Sequence, residues 1–422
     1  MILCPTKRDF RELGRISAAG ENTYLSHDYA TEALEDLTAP EAPADITIDD
    51  PDREIDLVIE RCRREEVDAV VSTDDYPGCT LAAVVAHQLG LPGVSPRANL
   101  LCQEKFLSRQ IQHAAAPEAV PRFQLLDTKP EVGLPLELRF PIFVKPVKSF
   151  LSVGAERVDS AQQLARIQER WSRAKSFFRP FDIILRRYAG YEIGTRCLLA
   201  EELLTGLQST LDGYVHRGEA RAMGVVDSIM FPGTIAFRRF EYPSQLPEDV
   251  QARMLNVANK VMRQMGFDNG QFNMEFMYDE DVDGLRIIEI NPRMSSQFAD
   301  LFEKVDGTNS YRVMLDLALG RQPQVERRKG RYAAAASCVL RTFQNQNVLK
   351  VPTREVIDGV VERHPDVRIE ILARAGRKLS QQMQDGCSFR YGIVNLGGAD
   401  RQEIAEHFER CARALRFEFE PA

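Results

Sequence analysis

The sequence has no CxxC pair among its eight cysteines, no HExxH among its six histidines, and a single tryptophan. Scattered cysteines exclude a zinc knuckle and a dithiol redox motif, and the missing HExxH argues against a zinc hydrolase. The thiols are expected to be reduced and mostly buried, in a cytoplasmic protein. No apolar run approaches the roughly 20 residues that cross a bilayer, and the opening MILCPTKRDF lacks the apolar core of a secretory leader. Repeats with a period of about 20–50 residues are missing, which excludes a solenoid. No GxGxxG follows a strand, which argues against a dinucleotide-binding domain. Positive charge is not in excess: Lys+Arg is 54 against 62 Asp+Glu, a formal net charge of −8. That balance disfavours coating a nucleic acid. The expected partners are therefore small molecules, with no nucleic acid and no membrane.

What remains is an ordinary globular composition, 44% hydrophobic and 27% charged over 422 residues, enough for about three domains. Residues 1–98 read as alternating strands and helices of a parallel α/β unit. Strands are expected at 2–4, 46–48 and 67–71, with helices over 54–66 and 80–89, the latter stopping at Gly90 before Pro92. A helix is expected over 100–115, a strand over 141–147 (PIFVKPV), a helix over 160–171 and a strand over 181–187. Short strands follow at 197–200, 206–211 and 221–229, then a long helix over 247–265 closed by Gly266. Strands over 272–278 and 285–291 flank an acidic turn, and a helix over 311–319 ends at Gly320. Residues 321–331 hold five basic side chains. They read as a solvated linker and mark a boundary near 326. The remainder is strand-rich and closes on a helix over 400–415. The fold class is α/β (α+β), divided as 1–98, 99–326 and 327–422.

The stretch GQFNMEFMYDEDVDGLRIIEINPR, 270–293, carries the most chemistry. On a strand alternate residues share a face. Phe272, Met274 and Phe276 take one face and Asn273, Glu275 and Met277 the other. On the second strand Ile288 and Ile290 are expected in the core, leaving Glu289 and Asn291 on the opposite face. Antiparallel pairing around the turn brings Glu275, Glu289 and Asn291 together. Hard oxygen donors on a rigid face suit Mg²⁺, which completes its shell with water and phosphate. Spacing alone leaves a merely solvated hairpin as the alternative. Asn-Pro-Arg directly after the strand favours a site, because Pro fixes the exit of the chain and Arg293 offers a planar fork for phosphate or carboxylate.

Glu289-Ile-Asn291-Pro-Arg293 resembles the E-x-N-P-R signature of the ATP-grasp superfamily, and the resemblance runs from about residue 66 to 320. Leu-Pro-Gly-Val-Ser (91–95) with Glu104-Lys105-Phe106 resembles the segment of the first nucleotide-binding lysine. PIFVKPVKSFLSVGA (141–155) resembles the strand of the second lysine and the phosphate-covering loop. Tyr242-Pro-Ser-Gln-Leu-Pro247 and the helix to Gly266 resemble the run before the metal hairpin in amino-acid-ligase-like members. The resemblance implies an ATP-grasp fold with an N-terminal parallel-sheet domain, a lid subdomain at about 120–185 and a smaller C-terminal α+β domain. It implies that Lys105 and Lys145 contact ATP, and that Ser152 and Gly154 belong to the flexible loop. By the same resemblance Glu192, in Gly190-Tyr191-Glu192, holds the ribose, and Arg187 and Tyr188 close the adenine strand. Glu275, Glu289 and Asn291 would bind Mg²⁺, with Mn²⁺ as a substitute, and Arg293 and Lys145 would be catalytic. Two features depart from the family pattern. The loop 148–154 holds one glycine, and arginines stand at 186–187 where the adenine strand usually ends in Glu.

The activity implied is ATP-dependent joining of a small-molecule carboxylate to an amine through an acyl phosphate. The alternatives are a biotin carboxylase-like subunit and an ATP-binding protein without catalysis. Arg238, Arg239 and Arg390 are candidates for an acidic substrate, with an exposed strand edge the alternative for the first two. Asp74 and Asp75, at the end of a strand, are placed for a ligand or for capping the next helix. The C-terminal segment is expected to cover the site or to pair two copies into a homodimer.

Overall fold

The computed structural model describes residues 1–17, 23–27, 51–127, 137–149, 153–173, 178–194, 197–382 and 388–422. The strand expected at 46–48 lies outside them. Strand β1 (Ile2–Leu3) is followed by helix α1 (Lys7–Ser17) and β2 (Ser26–His27), which pairs parallel with β1. Val71 extends this parallel arrangement on the other side of β1, its carbonyl accepting from Leu3 N at 2.9 Å. Around it pack α2 (Pro51–Arg64) and α3 (Gly78–Leu89). Gly90 ends α3 at φ +68°, a left-handed conformation that glycine adopts freely.

The single helix expected over 100–115 is two: α4 (Pro96–Gln103) and α5 (Lys105–Ala115). The break is at Glu104, whose extended backbone and carboxylate cap α5 by accepting from Leu107 N at 2.5 Å. The freed Lys105 N–H donates to the Val147 carbonyl at 2.8 Å, tying the first lysine's helix to the second lysine's strand.

Strands β3 (Phe123–Leu126), β4 (Ile142–Pro146) and β5 (Glu156–Val158), helices α6 (Ala161–Arg173) and α7 (Arg179–Ala189), and β6 (Leu198–Glu202) come next. The strands form an antiparallel sheet in the order β3-β6-β4-β5. The strand expected over 181–187 is thus helix α7. Phe181, Ile184, Leu185 and Tyr188 recur at helical spacing and pack into the N-terminal core, Pro180 opens the helix and Gly190 closes it at φ +77°.

The rest of the chain centres on an eight-stranded antiparallel sheet. It is built from β7 (Leu207–His216), β8 (Glu219–Met230), β9 (Phe237–Tyr242), then helix α8 (Glu248–Met265), β10 (Gly270–Asp279) and β11 (Gly284–Asn291). After helices α9 (Ala299–Asp306) and α10 (Ser310–Ala318) come β12 (Ala334–Thr342), β13 (Gln346–Lys350), α11 (Arg354–Arg363), β14 (Arg368–Ile371), β15 (Phe389–Gly398), α12 (Arg401–Ala414) and β16 (Glu418–Pro421). The sheet order is β11-β10-β7-β8-β9-β12-β15-β14. Phe272, Met274 and Phe276 bury one face against Met254, Val257 and Val261 of α8. On the other face Phe240 and Tyr242 pack on Leu301 and Phe302 of α9, leaving the hairpin end of that face polar.

The sheet runs through residue 326 without a seam, since β12 pairs with β9. The basic segment before β12 is not a free linker either. Arg327 pairs with Asp306 at 3.2 Å and donates to the Ala222 carbonyl at 2.5 Å, and Arg331 pairs with Asp366. Among the described residues no helix is long and apolar enough to cross a membrane.

Candidate active site

Strands β10 and β11 place Glu275 opposite Glu289 and Asn273 opposite Asn291. The register slips by one residue between Glu275 and Phe276, where β11 bulges. The bulge corrects one expectation: Ile287, fully buried, fills the core and Ile288 does not. Its carbonyl is turned out to accept from Arg109 Nη2 at 2.7 Å and Lys145 Nζ at 3.2 Å. A bulge re-aims a strand in this way while leaving the ladder on either side intact.

Glu275 Oε2 accepts from Gln208 Nε2 at 2.8 Å, and Lys105 Nζ lies 3.6 Å from Glu289 Oε2. Burial, and then the facing charge of Glu289, push the Glu275 carboxyl up to about 8. Asn291 Nδ2 donates to Asn273 Oδ1 at 3.2 Å, and Asn273 Nδ2 to Asp212 Oδ1 at 2.8 Å. This relay leaves Asn291 Oδ1 without a hydrogen-bond partner among the described residues. Among those residues no three His, Cys, Asp or Glu side chains form a group that could hold a metal ion. The set here is two carboxylates and an amide oxygen, with one carboxyl raised first by burial and then by its neighbour. A divalent cation with hard-oxygen preference fits it, because its charge removes the repulsion that now raises Glu275.

The cations come from three elements. Lys145 on β4 is buried, 2.8 Å from Glu201 on β6, which also takes Arg109 Nε at 2.6 Å. Burial alone would raise the Glu201 carboxyl, but Arg109 and Lys145 outweigh it and hold it at about 2. Burial lowers Lys145 despite Glu201. Lys105 reaches the Ser149 carbonyl at 3.3 Å as well as Glu289. Lys148, at the start of the loop 148–154, is buried with Nζ 2.7 Å from Gln103 Oε1 and 5.0, 5.6 and 5.0 Å from the ring centres of Tyr76, Phe178 and Phe181. Burial pulls it down to about 8. Gly154, at φ +74°, is packed so closely that a Cβ would stand 2.2 Å from Trp171 Cζ2. Ser152 lies outside the described residues.

Three expected nucleotide residues are not brought to this cluster. Arg187, on helix α7, pairs with Asp52; Tyr188 accepts from Gln88 Nε2 at 3.0 Å; and Glu192 pairs with Arg186 at 2.8 Å, both largely exposed. The lysine strand β4 lies between β5 and β6, and β6 ends in Glu201-Glu202.

Arg293 leaves β11 with Nε 3.5 Å from Asp75 Oδ1 and Nη1 3.3 Å from its neighbour's carbonyl, that of Met294. Burial would raise Asp75, but Arg293, Lys148 and Lys105 outweigh it and hold it below its ordinary value. Asp74 caps α3, accepting from Gly78 N at 2.7 Å. Arg239 is taken by Glu241 at 2.5 Å. Arg390 faces Arg341 across β12 and β15.

Residues 138–301 match the family model of the ATP-grasp domain. The chain thus carries an ATP-grasp domain and has the ATP-grasp fold, with its N-terminal parallel arrangement. Among individual proteins, it is 25% identical over 343 residues to the uncharacterized protein y4rH of Sinorhizobium fredii, covering 80% of this chain and 65% of that one. It is 26% identical over 295 residues to carnosine synthase 1 of Gallus gallus, covering 67% of this chain and 30% of that one. The chain therefore spans less than two thirds of the length of either curated relative. The L-amino acid ligase of Bacillus licheniformis superposes with a TM-score of 0.72 at 16% identity, over 99% of this chain and 98% of that one.

Proposed function

We propose that the protein is an ATP-dependent carboxylate–amine ligase. The observation that carries this reading is the cross-strand pair Glu275–Glu289 with Asn291 beside it, bordered by Lys105, Lys145 and Arg293. The similarity in fold to an L-amino acid ligase, and in sequence to carnosine synthase 1, supports it.

In this reading a substrate carboxylate oxygen attacks the γ-phosphorus of ATP, the bond to the β-phosphate oxygen breaks, and ADP leaves. The amine then attacks the acyl carbon, loses a proton, and expels phosphate as the amide forms. Glu275, Glu289 and Asn291 would hold Mg²⁺ (or Mn²⁺), which supplies charge neutralisation at the phosphates. Lys105 and Lys145 would bind phosphate oxygens, with Lys145 kept in line by Glu201 and the Ile288 carbonyl. Gly154 lets the loop backbone pack against Trp171 and Pro146, and the loop it ends would cover the phosphates. Arg293 would face the acyl phosphate. The protein's contribution is positioning and electrostatics, with no side chain required as a nucleophile.

The test is release of ADP and phosphate from ATP across a panel of small carboxylic acids, with and without amino acids as amines. Amine-dependent release with at least one acid is expected, falling by about a hundredfold or more in Glu289→Ala. Release from no panel member, or full activity in Glu289→Ala, overturns the reading.

A further inference from the structure

Asp212, on β7, is a buried carboxylate that the chemistry above does not use. It stands opposite Asn273 on β10, and Asn273 stands opposite Asn291 on β11. All three side chains are buried, so they must satisfy one another. The amide of Asn291 has two ends of nearly the same shape. One is an oxygen that can bind a hard cation, the other an NH2 that cannot. The shape of the side chain does not select which end faces Glu275 and Glu289. The hydrogen bond made by the opposite end does.

Asp212 imposes that selection from two residues away. A carboxylate only accepts, so Asn273 must turn its NH2 toward it, and Asn273 Nδ2 donates to Asp212 Oδ1 at 2.8 Å. That turn leaves Asn273 Oδ1 facing Asn291, where it too only accepts. Asn291 must answer with its own NH2, which donates at 3.2 Å. Its oxygen is then left for the cation. Asp212 also accepts from the Ser295 N–H, on the chain that leaves the hairpin after Arg293. The carboxylate that starts the relay is therefore itself held in place.

Resting on the nucleotide and magnesium reading above, we propose that Asp212 is a positioning residue which, through Asn273, holds the amide of Asn291 with its oxygen toward the divalent cation. Asp212→Asn removes the direction, because an amide at 212 offers Asn273 either end. The relay can then run backwards, with the NH2 of Asn291 facing the cation. Direction needs one acceptor-only group in the relay, and position 273 serves as well as 212. Exchanging the two, Asp212→Asn with Asn273→Asp, puts the carboxylate in the middle. It accepts from the amides on both sides, so Asn291 again gives its NH2 away and keeps its oxygen for the cation. The exchange preserves net charge and side-chain volume.

The experiment is calorimetric titration of ADP into the full chain, once with Mg²⁺ and once with EDTA, so no turnover is involved. The pH is about 8.5, above the value of about 7 to which burial raises Asp212. The ratio of the two dissociation constants is the gain from the cation. The unaltered protein, Asp212→Asn and the exchange variant are compared, each with its melting temperature. The gain is expected to fall by about tenfold or more in Asp212→Asn, with ADP affinity in EDTA kept within about twofold. The exchange variant should recover most of the gain. A full gain in Asp212→Asn overturns the proposal. So does an exchange variant as weak as Asp212→Asn, or affinity lost equally with and without Mg²⁺, since Asp212 would then serve packing alone. If Asp212→Asn does not fold, the exchange variant decides: a full gain upholds the relay and a lost gain overturns it. ADP bound no more tightly with Mg²⁺ by the unaltered protein also overturns it. No ADP binding in either condition would instead bring down the nucleotide reading beneath it.

Discussion

Glu201 joins two cations to one buried carboxylate, and its environment makes it more sensitive than Glu275 or Glu289. Replacing it by Ala leaves Lys145 and Arg109 buried without their counter-charge. A loss of about 3–5 kcal/mol is expected, read as a fall in the denaturant midpoint. The same group sets an acid limit. Its folded value of about 2 lies below its ordinary 4.5, so its contribution is fully present above about 4.5 and is lost as the pH falls through about 2. Titrating stability between pH 5 and 2 should show this loss in the unaltered protein and a shallower one in Glu201→Gln. At this scale the sequence disclosed the acids and bases unevenly. Glu275, Glu289 and Arg293 were legible because strand alternation and a following Pro fix their directions. Lys148 was not, because its cage of Tyr76, Phe178 and Phe181 is assembled from segments far apart in the chain.

At the scale of elements the bulge in β11 decides how the hairpin meets the lysine strand. Ile288 is the surplus residue, and without it Ile287, Glu289, Ile290 and Asn291 would still alternate correctly between core and site. Deleting Ile288 is therefore expected to preserve the fold and the facing carboxylates while removing the carbonyl that Lys145 and Arg109 share. A melting temperature lowered by a few degrees, with nucleotide affinity reduced at least tenfold in equilibrium titration, is the expected result. Strict alternation could not reveal the bulge, since two isoleucines in succession carry no mark of which one is extra. Helix α7 is hidden from composition for a related reason. The run Phe-Asp-Ile-Ile-Leu at 181–185 is compatible with a strand by composition, and only its continuation to Tyr188 and Gly190 gives the helical period. Expecting a strand there puts Arg187 and Tyr188 forward for adenine, and the short strand expected over 197–200 stops one residue before Glu201.

For the molecule as a whole, the eight-stranded sheet is the organising body, and it takes strands from both sides of residue 326. Removing the chain beyond 326 would strip β12, β14 and β15 and leave β9 as a bare edge carrying Phe237 and Phe240. Such a truncation is expected to be insoluble or to form oligomers on size-exclusion chromatography, because an unpaired apolar edge invites pairing with another chain. A calorimetric scan of the intact chain should show the hairpin and the C-terminal segment melting together, as strands of one sheet do. Composition suggested separable units at this point because the basic run at 321–331 resembles a linker, whereas Arg327 and Arg331 are anchoring contacts. The seamless sheet also bears on how such a protein can be recombined. An exchange of the last hundred residues with a relative would have to match the β9–β12 register, Ala335 to Tyr242 through Cys338 to Arg239. A crossover in the loops flanking β3–β6 keeps the small sheet whole but must still match Glu201 to Arg109, Lys145 to the Ile288 carbonyl and helix α7 to the N-terminal core. The C-terminal segment should therefore diverge by substitution in place rather than by exchange.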